Sequence, residues 1–210
     1  MKNAAMKRIA FYTLGLLIMT FGIALTAKAD IGVASASTIA FAGASLTPLS
    51  FGQCSSLFHA FCFLSQIILA RRVTFMIFFQ IPLVYVFGLL LDIFSAILSI
   101  RPTSLILSCA LVLVGTLIFS LGIRIILGSK LVLPPPDALV RTIGEKVGWP
   151  ISKSKLIFDI VVVSTSATLT GVFLGKPFVA VGIGTIITML LTGPLMGFYQ
   201  KALPFFDLED

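Results

Sequence analysis

Charge is scarce in this sequence. Only 11% of its 210 residues are Asp, Glu, Lys or Arg, against about a quarter in a soluble domain. The apolar share is 58% and the mean hydropathy +1.13. Such a chain has too little polar surface for a soluble fold and is expected to be an all-α polytopic membrane protein. Its length leaves room for about six spans of roughly 20 residues. The single histidine, His59, excludes a His-based metal cluster. Cys54, Cys62 and Cys109 sit in apolar runs without CxxC or Cys/His spacing and read as small core residues. HExxH, GxSxG and GxxxxGK[ST] are all missing. No catalytic residue, metal or cofactor is therefore expected, and the chain is not expected to be an enzyme. The net charge of +7 does not signal nucleic acid, because the basic residues flank apolar runs instead of forming a surface with stacking aromatics.

What is present is a repeat. Residues 14–23, LGLLIMTFGI, return as 114–123, VGTLIFSLGI, so that Gly15 and Gly22 recur as Gly115 and Gly122. Seven residues are two helical turns, and each pair marks a smooth stripe suited to close helix packing. Residues 149–152 carry the copy further, since Trp149-Pro150-Ile151-Ser152 matches Thr47-Pro48-Leu49-Ser50. The reading is one integral domain, 1–210, with repeat 1 over about 8–100 and repeat 2 over about 103–204.

Spans are expected at 9–27, 51–70, 73–99, 103–128, 154–174 and 178–203. Pro82 offers a kink in the third. Ala27-Lys28-Ala29 imitates a signal-peptidase site, but the first run exceeds a signal's apolar region and its internal copy cannot be a signal. Residues 30–50, rich in Ala, Ser, Gly and Thr, read as a short helix or re-entrant piece. In the corresponding place, Pro134-Pro135-Pro136 starts an amphipathic interfacial helix over 137–147.

Three spans per unit place the second unit upside down, an inverted-topology repeat. With the N-terminus inside, twelve basic residues fall on the cytoplasmic side (Lys2, Lys7, Arg8, Arg71, Arg72, Arg124, Lys130, Arg141, Lys146, Lys153, Lys155, Lys201). Three fall outside: Lys28, Arg101 and Lys176. The positive-inside rule then implies a multi-pass protein of the bacterial cytoplasmic (inner) membrane with both termini cytoplasmic.

The chain resembles the YczE-type integral membrane proteins of bacteria, related to the YitT class and largely uncharacterised. The resemblance runs over nearly the whole length. It is carried by Ala29-Asp30-Ile31-Gly32, Leu49-Ser50-Phe51-Gly52, Gln80-Ile81-Pro82 with Gly88 and Asp92, Asp137-Ala138-Leu139-Val140-Arg141, and Gly182-Ile183-Gly184-Thr185-Ile186 with Gly193. Where many relatives have a Pro-Trp-Asp or Pro-Ile-Ser-Ser element, this chain has Ser35-Ala36-Ser37-Thr38. The resemblance implies the fold and leaves the activity open.

Polar residues inside spans are the candidate chemistry. Gly52, Ser55, Ser56, His59, Cys62 and Gln66 share one face of the second span, with His59 near the midplane. The imidazole reads as a proton relay or solute ligand, or as a group hydrogen-bonded within the bundle. Asp92, on a face with Tyr85 and Gly88, lies near the outer boundary; its rival reading is a carboxylate satisfied by Arg101 or by the 30–50 connector. Asp159 follows Lys155 by one turn, an ion pair or an inner gate for a coupling ion. Thr185, Thr188 and Thr192 line the sixth span, where Gly193 and Gly197 serve packing within the chain or in a homodimer. Gln66 and Gln80 bind solute or bridge helices, and Arg124 snorkels to the interface.

The expectation for function is a small-solute transporter or permease, alternating about the two repeats in the lipid bilayer, with His59 making proton coupling chemically reasonable. Two alternatives stand beside it. One is a solute-binding subunit that needs a separate energising partner. The other is an interaction protein without solute.

Overall fold

The computed structural model describes residues 2–70 and 79–204. Among the described residues the regular elements are helices: α1 (Lys2–Ala27), a 3-10 turn (Ser35–Ser37) leading into α2 (Thr38–Leu46), α3 (Phe51–Ala70) and α4 (Gln80–Ile97). They continue with α5 (Leu105–Gly128), α6 (Pro135–Val147), α7 (Ile151–Leu174) and α8 (Ile183–Ala202). Six of them (α1, α3, α4, α5, α7 and α8) are long and apolar enough to cross a membrane. The expected start of the third span, 73–78, and Arg71 and Arg72 lie outside the described residues. Pro82 falls in the first turn of α4, where an amide has no helical partner to lose and no kink is required.

The two glycine stripes meet each other. A Cβ on Gly15 would lie 2.9 Å from the Gly122 carbonyl oxygen, and one on Gly22 would lie 2.8 Å from that of Gly115 and 2.5 Å from the Phe119 nitrogen. Gly15 opposes Gly122 while Gly22 opposes Gly115, so α1 and α5 cross antiparallel with their backbones touching. Bulkier residues here would hold the helices apart, and lipid supplies no hydrophobic force to draw them together again. The core is built on this crossing: Tyr12, Leu16, Met19 and Ile23 of α1, Phe87 and Leu91 of α4, and Phe119, Ile123 and Ile126 of α5. α4 packs on α1, and α8 on α5.

The chain turns the same way after each crossing helix. Asp30 (φ 58°) and Lys130 (φ 51°), one hundred positions apart, both adopt the left-handed conformation that ends helices. Ala34 (φ −53°, ψ 136°) and Pro134 (φ −53°, ψ 143°) then lead in extended conformation into the next helix. Each turn is tied to a span of the other half. The Val33 amide donates to Ala180 O (3.2 Å) and the Gly184 amide to Ile31 O (2.8 Å). The Gln80 side-chain amide donates to Leu133 O (3.1 Å). This pairing ties down the backbone at Ala180 and Gly184, Gly182 is extended (φ −162°, ψ −167°), and α8 begins at Ile183 and not at 178.

The short helices α2 and α6 are wedged between α3 and α7, each packing on both. α6 does not lie flat on a surface as an interfacial helix would. Its first half, Pro135, Pro136, Ala138, Leu139 and Val140, is buried, whereas Arg141, Glu145 and Lys146 are exposed. Burial is concentrated in its N-terminal half because the helix enters the bundle by its N-terminus.

Candidate functional site

Three prolines stiffen the approach to α6, and Asp137 occupies its first turn, where a carboxylate meets the positive end of the helix dipole. Further along, Gly144 packs against Ser154, a Cβ there lying 2.9 Å from the Ser154 hydroxyl. Asp137 instead reaches the level of Asp159, five residues or about 7.5 Å deeper along α7. α6 thus descends from the bundle interior to its end. α2 does the same from the opposite end: Thr38 O accepts from the Ser166 hydroxyl (3.0 Å), eight residues or about 12 Å before α7 ends at Leu174. Two helix N-termini consequently point inward along the buried face of α7, which carries Ser154, Asp159, Val162, Ser166 and Thr170.

At the α6 terminus an ion cluster forms. The Lys155 ammonium lies 2.9 Å from Asp159 Oδ1 and 3.9 Å from Asp137 Oδ1, with side-chain exposures of 30%, 6% and 27% for Lys155, Asp159 and Asp137. Its Nζ also stands 5.8 Å from the centre of the Phe158 ring. Buried Tyr12 of α1 and Cys62 of α3 are within electrostatic reach of Asp137. One ammonium shared by two carboxylates leaves a net negative charge when all three are ionised, and low-dielectric surroundings make that charge expensive. Burial accordingly pushes the Asp137 carboxyl above its ordinary pKa of 3.8; Lys155 opposes the shift and Asp159 adds to it. The cluster thus lies where α6 packs against both α3 and α7.

The sequence-derived residues divide among several places. Asp159 is in the cluster, paired with Lys155 as its spacing suggests. His59 is buried at mid-span with its ring 4.4 Å from that of Phe87, and its Nδ1 has no hydrogen-bond partner among the described residues. The rest of its stripe splits: Gly52 and Ser56 face α4, Ser56 donating to Val84 O (3.0 Å), whereas Cys62 lies on the Asp137 side. Gln66 Oε1 has no partner among the described residues. Gln80 bridges helices through Leu133. Asp92 is satisfied by the end of the 30–50 connector and the start of α3, accepting from the Ser50 hydroxyl (2.5 Å) and the Gly52 amide (2.7 Å); Arg101 is not its partner. Tyr85 is 70% exposed and faces outward. Thr185 and Thr188 are spent on local backbone: Thr185 accepts from the Gly182 amide (3.2 Å) and Thr188 donates to Thr185 O (2.8 Å). Nothing lies within 4 Å of a Cβ built on Gly193 or Gly197, so that small-residue pair packs against no other part of the described chain. Arg124 does not snorkel. It is 4% exposed and donates to Leu203 O (3.5 Å).

Asp137 is the residue that sequence reasoning missed as a site. Its signal was an acid at the head of a helix whose next turn, Ala138-Leu139-Val140, is wholly apolar, behind three prolines. Only the inward direction of α6 turns that acid into a partner of Lys155.

Comparison with known proteins bears on the family alone. The profile of the "Family of unknown function (DUF6198)" matches residues 6–201. The chain is similar to "Uncharacterized membrane protein YczE" of Bacillus subtilis (strain 168), 26% identical over 203 residues covering 94% of this chain and 87% of the relative. It is also similar to "Uncharacterized protein YyaS" of the same organism, 24% identical over 186 residues covering 89% of each. No solved structure matches the chain.

Proposed function

We propose that this chain, which belongs to the DUF6198 family together with YczE-type membrane proteins, is a non-enzymatic small-solute transporter of the bacterial cytoplasmic membrane. The observation that carries the reading is the Asp137–Lys155–Asp159 cluster at the buried end of an inward-pointing helix. Charged groups inside a membrane bundle are costly and persist where they handle ions or solutes. Half-helices that end inside the bundle are how secondary transporters build such sites. The antiparallel α1–α5 crossing and the matching turns at Asp30 and Lys130 support two inverted repeats rocking about that crossing. The charge asymmetry of the sequence supports cytoplasmic termini. Proton coupling then belongs to the carboxylates of the cluster more than to His59, whose ring is packed against Phe87.

Solid-supported-membrane electrophysiology on proteoliposomes tests this, with a panel of amino acids, sugars, carboxylates, nucleosides and inorganic cations. At least one class should evoke a current that Asp159→Asn lowers at least tenfold. No response across the panel sinks the transport reading. A second reading, a solute-binding subunit with an energising partner, draws support from the open Gly193 and Gly197 face of α8; solute would then bind the isolated chain without any current.

A further inference from the structure

At the opposite end of the bundle from the ion cluster, Gly52 and Gly88 bring α3 and α4 into backbone contact, a Cβ on Gly88 meeting the Gly52 carbonyl at 2.5 Å. This crossing floors a groove of about 550 Å³, within the range of ligand pockets, about 300–1,000 Å³. Its walls are apolar, with Leu57, Ala60, Ile81, Val84 and Leu89 along its length and the Asp92 carboxylate at its head. Leu57, Ile81 and Leu89 are also exposed on the outer surface of the bundle, so the groove opens sideways toward the acyl chains of a bilayer and not into the bundle. From Ile81 to Asp92 it follows α4 for eleven residues, about 16 Å.

Asp92 accepts two hydrogen bonds, whereas an ionised carboxylate offers about four acceptor sites. Among the described residues no lysine or arginine pairs with it. A carboxylate without a counter-cation, at the head of an apolar trough open to lipid, fits a cation attached to a hydrocarbon chain. Beside it, Gln53 Oε1 accepts from the Ser50 amide (2.9 Å), so its side-chain nitrogen, also at the groove, is left as a donor for a headgroup oxygen. The geometry points to a lateral binding site for an amine-headed membrane lipid, its primary ammonium on Asp92 and one acyl chain along the α3–α4 groove. The primary amine is specified because it donates hydrogen bonds to the two free acceptor positions, which a quaternary ammonium does not. The site is independent of whether the chain transports solute.

Native mass spectrometry of the purified full-length chain, after exchange with phosphatidylethanolamine, phosphatidylcholine or phosphatidylglycerol, tests the assignment. The wild type should retain phosphatidylethanolamine about tenfold better than phosphatidylcholine. Asp92→Asn should bring that ratio near one. Ala60→Phe, which fills the groove and leaves Asp92 in place, should abolish the retention; it decides alone if Asp92→Asn unfolds for want of its bonds to α3. Equal retention of the three lipids by the wild type, stronger retention of phosphatidylglycerol, or a preference that survives Ala60→Phe overturns the site.

Discussion

Lys155 is the residue on which the ion cluster depends. Removing it as Lys155→Met leaves Asp137 and Asp159 facing each other in a partly buried site. Breaking a fully buried pair costs about 3–5 kcal/mol, and the 30% exposure of the Lys155 side chain lowers the expectation to about 1–3 kcal/mol. Asp159→Asn should be milder, because Lys155 keeps Asp137. Thermal unfolding of the purified variants in detergent checks the order. Asp137 adds a pH signature. Burial raises its folded-state pKa above the ordinary 3.8, so the native chain holds that proton more tightly than the unfolded chain does. Its contribution to stability is therefore lost as pH rises from the ordinary value through the folded one. In the same unfolding measurement Asp137→Asn should flatten that decline, and an unchanged slope would assign it to another group.

At the scale of the helix, α1 and α5 show why the repeat was legible. Glycines seven residues apart predict a stripe, and stripes of this kind find each other because only they let backbones touch. Gly22→Leu should force the crossing apart and cost about 2 kcal/mol or more, the price of an overpacked contact, visible as a large fall in unfolding temperature. Gly193→Ala should be neutral or slightly stabilising, since no neighbour lies within 4 Å and Ala favours a helix by about 0.8–1.0 kcal/mol. Comparable losses at both positions would mean that the α8 face is covered in the protein as purified. Boundaries set by prolines and glycines were also readable: α3 begins at the expected Phe51, and α7 ends at the Gly175 turn. What the sequence concealed was direction. The period of α6 reveals an apolar face but not that its N-terminus points inward, and Arg124 looks like any basic residue near a helix end until Leu203 is brought over it.

For the whole molecule, the arrangement is a central antiparallel crossing with α2 and α6 entering between α3 and α7 from opposite ends. The six spans, and the family, could be read from hydropathy and motifs; the meeting of Asp137 with Lys155 and Asp159 could not, because it joins α6 to α7 through contacts that no periodicity records. On the proposed transport reading, the region between the two inward helix ends opens in turn to each side of the membrane. Val162 is buried on α7 between Asp159 and Ser166, at a level between those ends. In a variant with Cys54, Cys62 and Cys109 replaced by alanine and Val162→Cys introduced, an impermeant maleimide can be applied to either side of oriented vesicles. Labelling from both sides is the expected result. A thiol protected from both would contradict it and mark a dry, permanently closed bundle.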